Sequence, residues 1–336
     1  MSTSNLQSAK NTEILVKSAA RLHMGFFDLH GGLGRKFGSI GLSLSAPHLV
    51  LTASRADKLQ IAGGIDGTGG IDGKGAIRAN NIAQQLIKNL NLTGSVALNI
   101  QQVIPEHAGL GSGTQLALAI GAAISKLYHL DLTTSQIAML TGRGNRSGIG
   151  IAAFDLGGLL IDGGRKAIGN VPPLLARYDF PKSWRVLLIL DATQPGIHGE
   201  EEKEAFNNLP VFSENLAAHL CRHVLMQAMP AMVEQDLTAF GNSIQALQAH
   251  VGDYFAPAQG GRYASREVGV VLEYLAHAGV ACFGQSSWGP TGFAVFENEA
   301  SANAMQQQLQ AQFVENKNIS YEIVRGNNSG ATIQQL

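Results

Sequence analysis

Ile104-Pro105-Glu106-His107-Ala108-Gly109-Leu110-Gly111-Ser112-Gly113-Thr114-Gln115, running straight into Leu116-Ala117-Leu118-Ala119-Ile120, decides the fold. An apolar strand stops at a proline, a glycine-rich turn follows, and an alanine- and leucine-rich helix begins. Free backbone N–H groups and a helix N-terminus therefore meet at one point, an arrangement that holds an anion, most often a phosphate. Glycine at 109, 111 and 113 keeps side chains away from a phosphate oxygen and tolerates positive φ. The spacing is that of neither common phosphate loop. Thr114 stands where a dinucleotide fingerprint needs its last glycine, and no Gly-Lys-Ser/Thr follows as in a Walker loop. A glycine-rich turn that only lets a helix pack closely on a sheet is the competing reading.

Outward from this segment, the chain of 336 residues suits two domains, since one domain usually runs to about 100 to 200 residues. Hydrophobic residues make up 45% and charged residues 15%, the composition of a buried core and not of a disordered chain. Lys and Arg number 24 against 25 acids, so no broad basic field attracts nucleic acid. Cys221 and Cys282 stand far apart without partners at metal-ligand spacing, which argues against a disulfide framework or structural zinc and fits a reducing cytoplasm. Residues 1–12 are polar and read as a flexible tail and not a secretory leader. No run approaches the roughly 18 apolar residues that span a bilayer, so no membrane partner is expected.

Glu13 to Leu22 reads as a first strand that passes into a loop through Leu29. Gly31 to Gly41 is expected to be a mobile, cation-bearing loop carrying Arg35 and Lys36. Strands are predicted at Ile40–Leu44 and Leu49–Ala53, a low-complexity turn at Gly63–Gly75, an amphipathic helix at Ala76–Leu90, and a strand at Ser95–Val103. Helices at Gly113–His129 and Thr133–Thr141 and a strand-like pair around Phe154–Ile161 follow. Pro172-Pro173 and Pro181 place a boundary near 180, giving domains 13–180 and 181–336. The second half has a buried strand at Val186–Asp191, helices over Ser213–Ala249 and Arg266–Gly279, and final strands at Val280–Gly284 and Gly292–Glu297. This order is not a regular βαβ repeat and implies an α+β fold. The acids after His198 suit a first helical turn better than a metal site. His219 and His223 read as a solvated helix face.

Three segments together resemble the GHMP kinase superfamily: the first-strand loop, the cradle at Pro105–Thr114, and the late loop at Gly284–Gly292. The resemblance covers nearly the whole chain and implies a two-domain α+β fold with an N-terminal phosphate-cradle domain and a C-terminal domain completing the cleft. Within the superfamily the chain is most similar to the β-ribofuranosylaminobenzene 5'-phosphate synthase family. The matching runs are Arg21-Leu22-His23-Met24-Gly25 with Asp28, Gly38-Ser39-Ile40-Gly41-Leu42, Arg143-Gly144-Asn145-Arg146-Ser147-Gly148-Ile149-Gly150, and Gly284-Gln285-Ser286-Ser287-Trp288-Gly289-Pro290. That resemblance implies a decarboxylating transfer of phosphoribosyl pyrophosphate to 4-aminobenzoate or 4-hydroxybenzoate, with loss of CO2 and pyrophosphate, in methanopterin-type cofactor biosynthesis. It also favours a homodimer. Kinases of the superfamily usually have a serine where this chain has Gly113, and many have an acid shortly after a Ser-Gly pair where it has Gly150. An ATP-dependent small-molecule kinase is the alternative, and a non-catalytic small-molecule binder on the same scaffold the third reading.

On the leading reading, Gly109, Leu110, Gly111, Ser112, Gly113 and Thr114 surround phosphate oxygens. Arg21, His23, Arg143 and Arg146 are the candidate catalytic side chains, the last two as bidentate partners for phosphate or for the benzoate carboxylate. Ser147 joins the phosphate site. Gln285, Ser286, Ser287 and Trp288 close an aromatic pocket from the other domain. Asp28 is the candidate for magnesium or a ribose hydroxyl. Each has a plainer alternative: surface ion pairs for the arginines, a core histidine, a turn cap for Asp28, and core packing for Trp288.

Overall fold

The computed structural model describes residues 12–63, 73–167, 171–193, 196, 204–206 and 208–336. The sequence-predicted tail, the low-complexity turn at Gly63–Gly75 and the acidic segment after His198 lie wholly or largely outside these residues. Two sheets carry the fold. The seven-stranded sheet has the order β11-β1-β2-β4-β3, with β5 on β2 and β6 on β5. Its strands are β1 (Glu13–Asp28), β2 (Gly38–Ala56), β3 (Gln60–Gly63), β4 (Ser95–Gln102), β5 (Leu159–Asp162), β6 (Leu174–Tyr178) and β11 (Thr332–Gln335). The four-stranded sheet has the order β10-β7-β9-β8, from β7 (Arg185–Asp191), β8 (Cys282–Gln285), β9 (Gly292–Phe296) and β10 (Ile319–Val324). The chain leaves the first sheet after Tyr178, enters the second at Arg185, and returns when β11 pairs antiparallel with β1.

The principal α-helices among the described residues are α1 (Gly73–Asn89), α2 (Ser112–Tyr128), α3 (Thr134–Leu140), α4 (Ile149–Asp155), α5 (Glu214–His223), α6 (Met229–Glu234), α7 (Leu237–Gln259), α8 (Arg266–His277) and α9 (Glu299–Gln312), with a π-helical segment, Val224–Ala228, between α5 and α6. Helix α2 is apolar nearly all round because β1, β2, α1, α3 and α4 all pack on it. Helix α7 crosses between the sheets, packing on both β1 and β8. The main core consequently runs from Ile14 to Val324 without respect to the two sheets. Among the described residues, no helix is long and apolar enough to cross a membrane.

Five sequence expectations change. Strand β1 does not end at Leu22 but continues to Asp28, because β2 keeps pairing with it as far as Asp28↔Gly38. The two strands expected at 40–44 and 49–53 are one strand, β2, which pairs with β5 through Ser39–Leu42 and with β4 through Val50–Ala56. A register shift between Ala19 and Arg21 on β1 absorbs the intervening residues, including Pro47. Phe154 belongs to α4 and only Leu159–Asp162 is strand. Strands β8 and β9 are not the last, since α9, β10 and β11 follow them. The loop expected to be mobile around Arg35 and Lys36 is tied down: Arg35 donates from Nε to Gly163 O at 2.8 Å and from Nη2 to Gly164 O at 2.9 Å.

Candidate active site

The cradle forms where β4 hands over to α2. Gly109 and Gly111 take φ of 76° and 85°, and Gly111 is the N-cap of α2 with no side chain capping it. Thr114 N and Gln115 N both turn back to Gly111 O, at 3.0 and 3.1 Å, which leaves the amides of Ser112 and Gly113 to an external acceptor at the positive end of the helix dipole. Two arginines come to this turn from different parts of the chain. Arg21 on β1 gives its N–H to Leu110 O at 3.0 Å and its Nη1 to Gly109 O. A Cβ on Gly111 would lie 3.3 Å from the Arg21 guanidinium carbon, and one on Gly113 would lie 3.4 Å from Arg143 Nη1. These glycines therefore do more than admit a phosphate oxygen: they let two guanidiniums settle against the start of the helix. Gly109 has a third reason, since a Cβ there would strike Ser286 O at 2.3 Å.

Arg143 is an electrostatic anomaly at this turn. It makes no ion pair among the described residues, and its Nε is buried without an acceptor. Burial, and then the charge of Arg78, hold its pKa below the ordinary guanidinium value. Arg78 itself pairs with Glu106 at 3.0 Å. A desolvated cation without a counter-ion is costly, and a bound anion relieves that cost.

Two residues beyond Arg21, His23 lines a different environment. Its ring borders a cavity also lined by Phe26 from β1, Val251, Phe255 and Gln259 from α7, and Trp288. The Trp288 and Phe255 rings are 4.4 Å apart, and Phe206 meets both edge-on. The cavity is about 30 Å³, room for one water, so an arene that enters must displace one of these rings. Burial and the neighbouring Arg21 charge push the His23 pKa down to about 3, and its Nε2 has no hydrogen-bond partner. The imidazole is neutral, with one polar atom unsatisfied.

The loop after β8 joins the two environments. Ser286 accepts the N–H of His23 at 3.0 Å and donates to Gly109 O at 2.8 Å, while Ser287 N donates to His23 O at 3.0 Å. Gln285 is held by Ala264 N and spends its own amide on Ser287 O. Gln285, Ser286 and Ser287 thus brace the loop with most of their polar atoms, and Trp288 is the member of the run that lines the cavity with an aromatic face. Gln248 of α7, which sequence reasoning missed, clamps the same junction by donating to Met24 O at 2.6 Å and accepting from Gln285 N at 2.8 Å. A lone glutamine inside a helix gave no sign of this.

Three other predicted residues take different places. Arg146 lies with its guanidinium 4.6 Å from the centre of the Phe206 ring, which in turn meets Trp288 edge-on. Ser147 does not reach the cradle amides: it donates to Asp162 at 3.0 Å and accepts from Ile149 N. Asp28 accepts from His30 N and Gly31 N at 2.9 and 3.0 Å, the geometry of a turn cap. Asp162, which is not among the sequence-predicted site residues, is fully buried and gathers Ser39, Ser147, Gly148 N and Gly164 N. It anchors the loop that bears Arg143 and Arg146. Burial raises its pKa against the effect of those four donors.

No group of three or more His, Cys, Asp or Glu among the described residues is placed to hold a metal ion, and Asp28 is committed to its turn. The donors that meet at the cradle are guanidiniums and amides, a set suited to an anion.

Residues 77–158 match the GHMP kinases N terminal domain and residues 228–315 the GHMP kinases C terminal. A beta-ribofuranosylphenol 5'-phosphate synthase of Archaeoglobus fulgidus is 33% identical over 95% of this chain and 99% of its own. One from Methanocaldococcus jannaschii is 36% identical over 70% of this chain and 76% of its own. Among solved structures, homoserine kinase from Cytophaga hutchinsonii has a TM-score of 0.69 at 18% identity, covering 96% of this chain and 97% of that one. Mevalonate diphosphate decarboxylase from Staphylococcus aureus reaches 0.66 at 13% identity, covering 96% and 98%. These two likenesses are of fold alone.

Proposed function

We infer the chemistry from one premise: this chain belongs to the beta-ribofuranosylphenol 5'-phosphate synthase family, within the GHMP kinases. It is an enzyme, and the reaction we propose is transfer of a phosphoribosyl group from phosphoribosyl pyrophosphate to 4-hydroxybenzoate, with 4-aminobenzoate as the close analogue. The aromatic carbon bearing the carboxylate attacks the anomeric carbon as the bond to pyrophosphate breaks. The bond to the carboxylate then breaks, its electron pair returns to the ring, and CO2 leaves. No oxidant or reductant is needed. A hydroxyl para to the attacking carbon matches the phenol in the relatives' name.

The observation that carries this reading is the juxtaposition on β1. Arg21 stands at an uncapped helix end beside half-buried Arg143, whose Nε has no acceptor, and His23, two residues on, lines an aromatic cavity. The cradle would take the departing diphosphate, where preorganised amides and guanidiniums stabilise charge as it develops. The cavity would hold the arene in line with the anomeric carbon. His23, neutral and with Nε2 unsatisfied, is suited to accept a hydrogen bond from the para hydroxyl, which favours electron release into the ring.

The kinase reading is weaker here because Gly113 and Gly150 stand where kinases of the superfamily usually carry a hydroxyl and an acid. At 150 the room is also short, since a Cβ there would lie 3.0 Å from the Thr114 side chain. The deciding assay supplies the protein with phosphoribosyl pyrophosphate, magnesium and carboxyl-labelled 4-hydroxybenzoate, and in parallel ATP with a panel of alcohols. Labelled CO2 with no ADP supports the transfer. ADP formation without label release replaces it with the kinase, and silence in both leaves a binding protein.

A further inference from the structure

A second cationic site lies beyond the cradle, across the loop that holds Arg143 and Arg146. Lys36 and Arg165 face each other in an isolated antiparallel bridge, exchanging both backbone bonds at 2.9 and 2.8 Å. Residues directly opposite in such a bridge put their side chains on the same face. Both cationic heads sit near one ring: Lys36 Nζ is 5.4 Å and the Arg165 guanidinium carbon 5.9 Å from the centre of Phe37.

Three unfavourable features meet in this bridge. Like charges directly opposed across a strand pair repel. Neither residue makes an ion pair among the described residues, and Arg165 Nε is buried with no acceptor. Phe37 is held at φ 74°, a left-handed conformation that a bulky aromatic residue rarely adopts. The surroundings enforce the arrangement. Phe37 N bonds to Asp28 O at 2.7 Å, and a Cβ at Gly164 would strike Lys36 O at 2.4 Å. Of the carboxylates near this corner, Asp162 is spent on Ser39, Ser147, Gly148 and Gly164. Asp28 is spent on its turn. Cation–aromatic contacts at partly exposed sites offset such costs only in part. Strain, repulsion and an unsatisfied donor held together by design mark a ligand site.

The position suggests which anion. Ser39, two residues beyond Phe37, bonds to Ser147 at 2.7 Å, so this bridge abuts the loop whose Arg143 reaches the cradle. Phe37 also meets Phe206 edge-on at 5.5 Å, with Arg146 on the other ring. A ribosyl donor with a diphosphate at one end of the sugar and a phosphomonoester at the other needs two anion sites on adjoining walls. We propose that Lys36 and Arg165, side by side over Phe37, hold the 5-phosphate of the sugar donor, a subsite that rests on the phosphoribosyl-transfer reading above.

Two partial ligands separate the subsites: ribose 5-phosphate has only the far phosphate, and pyrophosphate only the near one. Each is titrated as an inhibitor of turnover against phosphoribosyl pyrophosphate, with wild type, Lys36→Gln, Arg165→Gln and the charge-keeping Lys36→Arg. The glutamine variants should lose about tenfold to a hundredfold in affinity for ribose 5-phosphate and for the donor, with pyrophosphate inhibition within about twofold of wild type. Lys36→Arg should retain most ribose 5-phosphate affinity. Wild type that ignores ribose 5-phosphate, variants that bind it as well as wild type does, or equal losses for both inhibitors would each overturn the subsite. A wild type that releases no CO2 from donor and hydroxybenzoate defeats instead the reading on which the subsite rests.

Discussion

The phosphate cradle and the aromatic cavity share one strand, yet they are built by opposite means. The cradle is backbone: amides at the start of α2, glycines at positive φ, and guanidiniums that take the room where side chains would be. The cavity is side chain: Phe26, Phe255 and Trp288 around a neutral histidine, drawn from β1, α7 and the loop after β8. At the cradle, stability is given up to keep buried charge ready for an anion. At the cavity, burial itself is the stabilising term, and the cost falls on His23, whose protonated form is excluded. Changes at the cradle should therefore harm activity more than stability, and changes at the cavity should do both.

The sharpest way to break this contrast is Gly111→Val. A branched side chain at φ 85° and against Arg21 should abolish turnover and weaken pyrophosphate inhibition about 10²–10³-fold. Persistent inhibition would reduce the turn to a packing device. Arg143→Met comes next: kcat/KM should fall about a hundredfold while the melting temperature holds or rises, because a half-buried charge whose Nε has no acceptor is exchanged for an apolar chain. A large drop in melting temperature would show that Arg143 serves the fold.

On the other side, Trp288→Leu should raise KM for the benzoate about tenfold, leave KM for the sugar donor alone, and lower the melting temperature. Equal changes in both KM values would deny the separation of the two sites. His23 supplies a test by pH. Its pKa is about 3 in the fold against 6.5 unfolded, so the unfolded chain takes up the extra proton. Its share of stability is complete above pH 6.5 and declines by roughly 1.4 kcal/mol per unit as pH falls toward 3. His23→Asn should flatten that part of the acid-unfolding profile, and an unchanged slope would mean the imidazole is not buried as described. The smallest effect is expected at Arg146→Ala, a few-fold loss of turnover with the fold intact. Unchanged kinetics would take Arg146 out of the site.

What could be read in advance follows the same division. The turn at Gly109–Thr114 and the helix after it were legible because a glycine pattern, a proline stop and an apolar run act locally. Arg21, His23 and Arg143 were legible through family resemblance. Gln248, Phe206 and Phe255 were not, since a glutamine or phenylalanine inside a helix or loop looks the same whether it faces a cavity or a core. Asp162 hid in an Asp-Gly-Gly turn because its four donors come from β2, from the loop before α4 and from its own turn. Ser147 and Asp28 were misplaced for the converse reason: a polar side chain beside a site can be used up by the backbone.

By itself, then, the order of residues determined an α+β chain with an anion-holding helix start, because period, glycine placement and helix polarity are properties of neighbours along the backbone. Only the tertiary structure decided that β2 is one strand serving two partners, that the chain end returns to β1, and that Arg21 and Arg143 meet at one helix turn. Those outcomes depend on which distant groups share desolvated space, and that is settled when the sheets and α7 close on each other.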